Sequence, residues 1–159
     1  MLITIDTSAI IAVITHESSR DHMIDVSTGH QLIAPTSIHW ELGNAFSGML
    51  KKARITLPEI ALCLQTYRAI PIRLIDVSVY DALTTSKKHR MYAYDAYLIE
   101  CAKQYAAALL TLDKASGDFR KPSYHLAGLF ARLRCCGSPN IVHYAQAPRL
   151  EDEQKSCAI

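Results

Sequence analysis

Two short apolar runs, Leu2-Ile3-Thr4-Ile5 and Ala108-Leu109-Leu110-Thr111-Leu112, each lead straight into an aspartate, Asp6 and Asp113. Runs this short and this continuously apolar, with no alternating polar face, read as strands covered on both sides. Strands of that kind belong to parallel sheets, and parallel neighbours need long crossover connections, usually helical. The chain between the two runs supplies those connections, so an α/β architecture is the expectation.

The intervening pattern is regular. After Asp6-Thr7-Ser8, which offers N-cap side chains, Ile10, Ile11, Val13 and Ile14 mark a helix, and a second short helix runs to about Val26. A turn at Thr28-Gly29-His30 precedes a strand at Gln31–Ala34 that Pro35 stops. Ile38, Leu42, Ala45, Phe46 and Met49 recur at helical spacing, with Thr36 or Ser37 as the cap. Pro58 suits the first turn of another helix, which Pro71 ends. A strand at Ile72–Val77, helices over Ser78 to about His89 and Tyr94 to Ala106, and the strand at Ala108–Leu112 complete the series. Beyond Asp113 the signal weakens: Leu126, Leu129, Phe130 and Leu133 have helical spacing, Ile141–Tyr144 reads as a last strand, and 145–159 reads as a mobile tail. The length, 159 residues, suits one domain over 1–144 followed by that tail.

Four acids stand where this pattern would not ordinarily put charge. Asp6 and Asp113 end buried strands, Glu41 borders the apolar stripe Ile38-Leu42-Ala45, and Asp95 heads the stripe Leu98-Ile99-Ala102-Ala106. Each has a plainer reading on its own: a helix cap for Asp6 and Asp95, a solvated helix flank for Glu41, a turn with Lys114-Ala115-Ser116-Gly117 for Asp113. Together, at the carboxyl edge of a parallel sheet, they would repel one another unless divalent cations held them. Asn44 is spaced to orient Glu41, and Thr111 is spaced to donate to Asp113. Asp76, Asp81, Glu100 and Asp118 read as caps, exposed helix positions or irregular chain, outside the set.

Charge and cysteine content narrow the classes further. There are 17 Lys and Arg against 15 Asp and Glu, so if metal occupies the four acids the rest of the surface is net basic, as a nucleic-acid partner requires. Lys51-Lys52-Arg54 and Lys87-Lys88-His89-Arg90 are the candidate phosphate contacts, each also readable as a solvated helix end. Five cysteines, with no CxxC pair, indicate neither a disulfide framework nor a zinc site. Cys63 and Cys101 read as core residues, and adjacent Cys135-Cys136 as a possible redox pair. No apolar run approaches the ~20 residues of a membrane span. The basic stretch and cleavage site of a secretory signal are missing before Leu2, so a reducing cytoplasm is the expected compartment.

The ordered segments Ile3-Thr4-Ile5-Asp6-Thr7-Ser8-Ala9, Ala34-Pro35-Thr36 through Trp40-Glu41-Leu42-Gly43-Asn44-Ala45, Tyr92-Ala93-Tyr94-Asp95-Ala96-Tyr97-Leu98 and Leu109-Leu110-Thr111-Leu112-Asp113 resemble the PIN-domain ribonucleases, and in compact length the VapC-type toxins of bacterial toxin–antitoxin pairs. The resemblance covers about residues 1–114. It implies a three-layer α/β/α sandwich around a parallel sheet of about five strands. It also implies a Mg²⁺- or Mn²⁺-dependent endoribonuclease, with Asp6, Glu41, Asp95 and Asp113 as catalytic and metal-binding residues and Thr7 or Ser8 and Thr111 as supporting hydroxyls. RNA as substrate, a small antitoxin protein as inhibitor and a homodimer follow from the same resemblance. Residues 114–144 depart from the family pattern. Two rival readings remain: an RNA-processing PIN nuclease with no antitoxin, and a degenerate domain that only binds proteins. A phosphotransfer domain fits less well, because Asp6 stands alone after the first strand.

Overall fold

The computed structural model describes residues 1–112 and the pair Val142–His143. The described elements are β1 (Leu2–Ile5), α1 (Thr7–Ile14), α2 (Arg20–Ser27), β2 (Gln31–Pro35), α3 (Ile38–Lys51), α4 (Leu57–Ala69), β3 (Ile72–Ile75), α5 (Val79–His89), α6 (Ala93–Gln104), β4 (Ala108–Thr111) and β5 (Val142–His143). The five strands form one parallel sheet in the order β3-β2-β1-β4-β5. The expected α/β sandwich is therefore present, with the two acid-terminated runs paired side by side at its centre.

Strand position explains strand composition. Ile3, Thr4 and Ile5 of β1 and all of β4 are buried, as a central strand covered on both faces must be. β3 lies at the edge, and its Arg73 and Leu74 are exposed. Period-two alternation divides the core into two parts. Ile3, Ile5, Leu32, Ala34, Ala108 and Leu110 pack with Ile10, Ile14, Ile38, Leu42, Phe46 and Ile60, residues of α1, α3 and α4. On the opposite face Leu109 packs with Ala82, Ala96, Leu98 and Ile99 of α5 and α6, and Ile33 and Ile75 pack with Cys101. Removing an Ile side chain such as Ile10 from water is worth ~1.5–3 kcal/mol, so these two clusters carry most of what opposes chain entropy.

Helix ends follow local chemistry. At α4, Glu59 Oε2 accepts from the Thr56 backbone N–H at 2.7 Å, and Pro58 occupies the first turn. Gly29 takes φ +77° in the turn before β2, a conformation that a residue without a Cβ adopts without clash. Arg90 ends α5 in the left-handed region, at φ 55°. The strands over 72–77 and 108–112 are each shorter than the periodicity suggests, ending at Ile75 and Thr111. The helix expected over Tyr94–Ala106 begins one residue earlier, at Ala93, and ends at Gln104.

Glu100 differs from its expected exposed position. It is half-buried, accepts a hydrogen bond from the buried Thr85 hydroxyl and pairs with Lys103 Nζ at 2.7 Å. Within the otherwise apolar α5–α6 contact the Thr85 hydroxyl donates to Glu100 and accepts from Lys103 Nζ at 3.4 Å. Cys63 and Cys101 are buried as expected. Cys63 Sγ donates to Ile14 O at 3.2 Å, and burial pushes the Cys101 thiol up to about 11. Among the described residues no helix is long and apolar enough to cross a membrane. Asp113, Asp118, the helical spacing at 126–133, Cys135-Cys136, the atypical stretch 114–144 apart from Val142–His143, and the 145–159 tail lie outside the described residues.

Candidate active site

The carboxyl edge of β1 and β4 positions the first acid. Ile5 pairs with Leu110, and one further step along both strands sets Asp6 opposite Thr111. The Asp6 backbone N–H donates to Leu110 O at 3.0 Å, which continues the ladder. Asp6 occupies the N-cap position of α1, but its side chain makes no capping hydrogen bond. Instead Oδ2 accepts from the Ser8 hydroxyl at 2.6 Å and from the Thr111 hydroxyl at 2.7 Å. Ser8 Oγ in turn accepts from the Leu112 backbone N–H at 3.0 Å, and so stitches the end of β4 to the start of α1. Asp6 as a whole is 5 % exposed. Its Oδ1 takes no hydrogen bond from the described residues.

Glu41 enters from α3, whose first turn starts at the same edge, three residues after β2 ends. Buried Ile38, Leu42 and Phe46 fix the helix face and leave Glu41 on the flank toward β1. Thr7 Oγ1 donates to Glu41 Oε2 at 3.0 Å, and Ser37 Oγ donates to Oε1 at 3.1 Å. Ser37 stands at the N-cap position of α3 and, like Asp6, makes no capping bond with its side chain. Burial, with Asp6 close by as the second cause, pushes the Glu41 carboxyl from its ordinary 4.5 up to about 7, against the two hydroxyls that favour the ionised form. Asn44, spaced to orient Glu41, is exposed, and the hydrogen bonds that hold Glu41 come from Thr7 and Ser37.

Asp95 enters from α6. That helix connects to β4 through only Tyr105–Ala107, so it runs back against the strands and its first turn lies at the carboxyl edge. With Tyr92 at the N-cap position, Asp95 is the third residue inside the helix, which removes the capping reading. It is half-buried, with Oδ2 shielded from solvent. Among the described residues no three Asp, Glu, His or Cys side chains stand close enough together to hold one ion. Asp6 and Glu41 are thus brought together, Asp95 is set at the same edge on α6, across the sheet from α1 and α3, and Asp113 lies outside the described residues. Thr111, spaced to serve Asp113, gives its hydrogen bond to Asp6. Ser37 is a site contact that sequence reasoning treated only as a cap, although its place four residues before Glu41 puts both side chains on one helix face.

Similarity to known proteins was assessed against this geometry. The PIN domain family profile matches residues 3–122, well over half of the chain. The chain belongs to the PIN-domain family. Among solved structures, this PIN-domain chain is similar to PAE2754 from Pyrobaculum aerophilum, with a TM-score of 0.58 and 18 % identity over 85 % of this chain and 96 % of that one. It is also similar to VapBC2 from Rickettsia felis, solved with a DNA fragment from its promoter, with a TM-score of 0.54 and 12 % identity over 89 % of this chain and 98 % of that one. At those identities the likeness is one of fold. No curated protein sequence matches the chain significantly.

The donor set suits a divalent cation. Carboxylate oxygens are the ligands that hard ions prefer, Asp6 Oδ1 is spared by its hydroxyl neighbours, and Glu41, raised to about 7 first by burial and then by Asp6, is a second carboxylate beside it.

Proposed function

We propose that this PIN-domain chain is a Mg²⁺- or Mn²⁺-dependent endoribonuclease and the toxin of a toxin–antitoxin pair. The observation that supports it most is the Asp6–Glu41 pair, two carboxylates held side by side by Ser8, Thr111, Thr7 and Ser37 at the edge where parallel sheets bind ligands. Asp6 and Asp95 are the principal ligands in this reading, with Asp113 and Glu41 completing the site directly or through water. When bound, the ion supplies Lewis acidity at the phosphate and acidifies a water for in-line attack. The chain's own part is positioning: Ser8 and Thr111 fix Asp6 Oδ2, and Thr7 and Ser37 fix both oxygens of Glu41. Hydrolysis of this kind needs no ribose hydroxyl as nucleophile, so preference for RNA rests on contacts away from the cleaved bond.

Two surfaces support the partner readings. A groove of about 550 Å³ between α3 and α4 is lined by Leu42, Phe46, Leu50, Ile60 and Leu64, with Arg68 at its margin. An amphipathic antitoxin segment bearing an acid would suit it. The exposed Val79, Tyr80 and Leu83 of α5 form apolar surface that a second copy would cover in a homodimer.

The test is cleavage of a labelled RNA panel with Mg²⁺, with Mn²⁺ and with EDTA. Cleavage is expected with either ion and not with EDTA, and Asp6→Asn or Asp95→Asn should abolish it with the circular dichroism spectrum unchanged. Undiminished cleavage by both variants would remove the assignment. Growth arrest on expression of the wild-type chain, relieved by Asp6→Asn, separates a toxin from an RNA-processing nuclease.

A further inference from the structure

Three acids in a row, Glu151-Asp152-Glu153, follow β5, and nowhere else in the chain do even two acids stand together. The sheet fixes where that run is tethered. β5 pairs with β4 in parallel, Leu110 beside Val142 and Thr111 beside His143. The chain therefore leaves the sheet after His143 at the carboxyl edge, next to the Thr111 whose hydroxyl holds Asp6. Residues 144–150 alone separate that point from Glu151. At ~3.3 Å per residue the stretch from His143 to Glu151 spans at most ~26 Å.

Two basic runs could receive the acids, and topology separates them. Lys51, Lys52 and Arg54 end α3, which leads from β2 toward β3, on the far side of β1 from β5. Lys87, Lys88 and Arg90 end α5 and lead into Met91, which is buried in one cluster with Leu109 of β4. One strand spacing, ~4.8 Å, and two residues of rise, ~6.6 Å, separate the backbone at Leu109 from that at His143. The 87–90 run is thus within reach of the tether. All three cations are exposed, and no salt bridge joins them to an acid among the described residues. The carbonyls at the end of α5 offset part of their charge, and the rest is crowded onto one helix end.

We propose that Glu151-Asp152-Glu153 docks on Lys87, Lys88 and Arg90 of the same molecule and occupies cations that a polyanion would otherwise use near Asp95. The contact itself stands without the nuclease reading; its consequence, competition with RNA phosphates, rests on that reading. Exposed ion pairs are individually weak and fade with salt. The short tether compensates, because it holds the acids at a local concentration in the millimolar range. Such a contact yields to a long nucleic acid, whose phosphates outnumber the three carboxylates, and holds off weaker anions.

The experiment compares the full chain with a triple variant, Glu151→Gln, Asp152→Asn and Glu153→Gln. A carbodiimide, which joins a carboxylate to an amine only where the two touch, is applied to a mixture of unlabelled and ¹⁵N-labelled protein, and the linked peptides are weighed. The wild type should link the acidic run to Lys87 or Lys88 within singly labelled molecules at about 50 mM salt, and much less at about 500 mM. RNA affinity, read by anisotropy of a labelled strand in EDTA, should rise about two- to fivefold in the triple variant at the lower salt, the range for one exposed ion pair, and should match wild type at the higher. With Lys87→Gln and Lys88→Gln already in place the triple substitution should change nothing more. Links to Lys51 or Lys52 instead, links only between differently labelled copies, or no link would overturn the proposal. An unchanged RNA affinity in the triple variant, or a gain that persists without Lys87 and Lys88, would overturn it too, and none of these results touches the nuclease reading. The expected links and affinity gain, with no RNA cleavage by the wild-type chain in Mg²⁺ or Mn²⁺, would support the contact and remove the nuclease reading.

Discussion

Replacing Glu41 by glutamine should stabilise the protein at alkaline pH without metal, and should leave it unchanged near pH 4.5. Folding raises the Glu41 carboxyl from 4.5 to about 7, first through burial and then through Asp6. A carboxyl raised by folding contributes its stability in full below the unfolded value and loses it as the pH climbs through the folded one. For Glu41 that window runs from 4.5 to about 7, and the loss is complete by about pH 8. At ~1.4 kcal/mol per pH unit the ceiling is about 3.4 kcal/mol. Solvent reaches this half-buried group, and screening reduces the expected effect to about 1–2 kcal/mol. Glutamine does not titrate, and the Thr7 and Ser37 hydroxyls can turn to suit an amide. Thermal unfolding in EDTA should therefore show Glu41→Gln equal to wild type near pH 4.5 and about 3–6 °C higher at pH 8. Magnesium should shrink or invert the alkaline difference, because only the wild type presents the full carboxylate set. A variant less stable than wild type at pH 8 in EDTA, or an offset independent of pH, would refute the reasoning.

Three further outcomes follow from named contacts. Ser8→Ala removes the donor to Asp6 Oδ2 and the acceptor for the Leu112 N–H, and should cost about 1–3 kcal/mol in urea unfolding. Ala53, which takes φ 50° after α3, sits where an L side chain costs ~1–2 kcal/mol, so Ala53→Gly should raise stability by about 0.5–1 kcal/mol net of glycine's entropy, read as a higher urea midpoint. Asp6→Asn should abolish the rise in unfolding temperature that millimolar Mn²⁺ gives the wild-type chain, a rise of about 2.7 kcal/mol in stability at a hundred times the dissociation constant.

Periodicity made most of the fold legible, because central strands buried on two faces must be continuously apolar and helices buried on one face must repeat at 3.6 residues. Ile3–Ile5 and Ala108–Leu110 could hardly be anything else. Termini were less legible: nothing local distinguishes Ile75 from Val77, since where a strand stops depends on its neighbour's length. The site was legible as residue types and less so as contacts. Asp6 taken alone read more readily as a cap than as a ligand, and it holds the cap position with its side chain turned to Ser8 and Thr111. That choice depends on Thr111, 105 residues away, and no local pattern contains it. Ser37 was hidden in the same way, since a serine before a helix is ordinarily a cap. Glu100 misled because an isolated polar cluster between two helices leaves no periodic trace.

The most direct test of the central claim is a crystal soaked in Mn²⁺, with anomalous difference density measured at the manganese edge. The account predicts a peak within coordination distance of Asp6, at the edge shared with Glu41 and Asp95, that vanishes in Asp6→Asn. Manganese bound only elsewhere on the molecule, or a peak at that edge unaffected by the substitution, would contradict it.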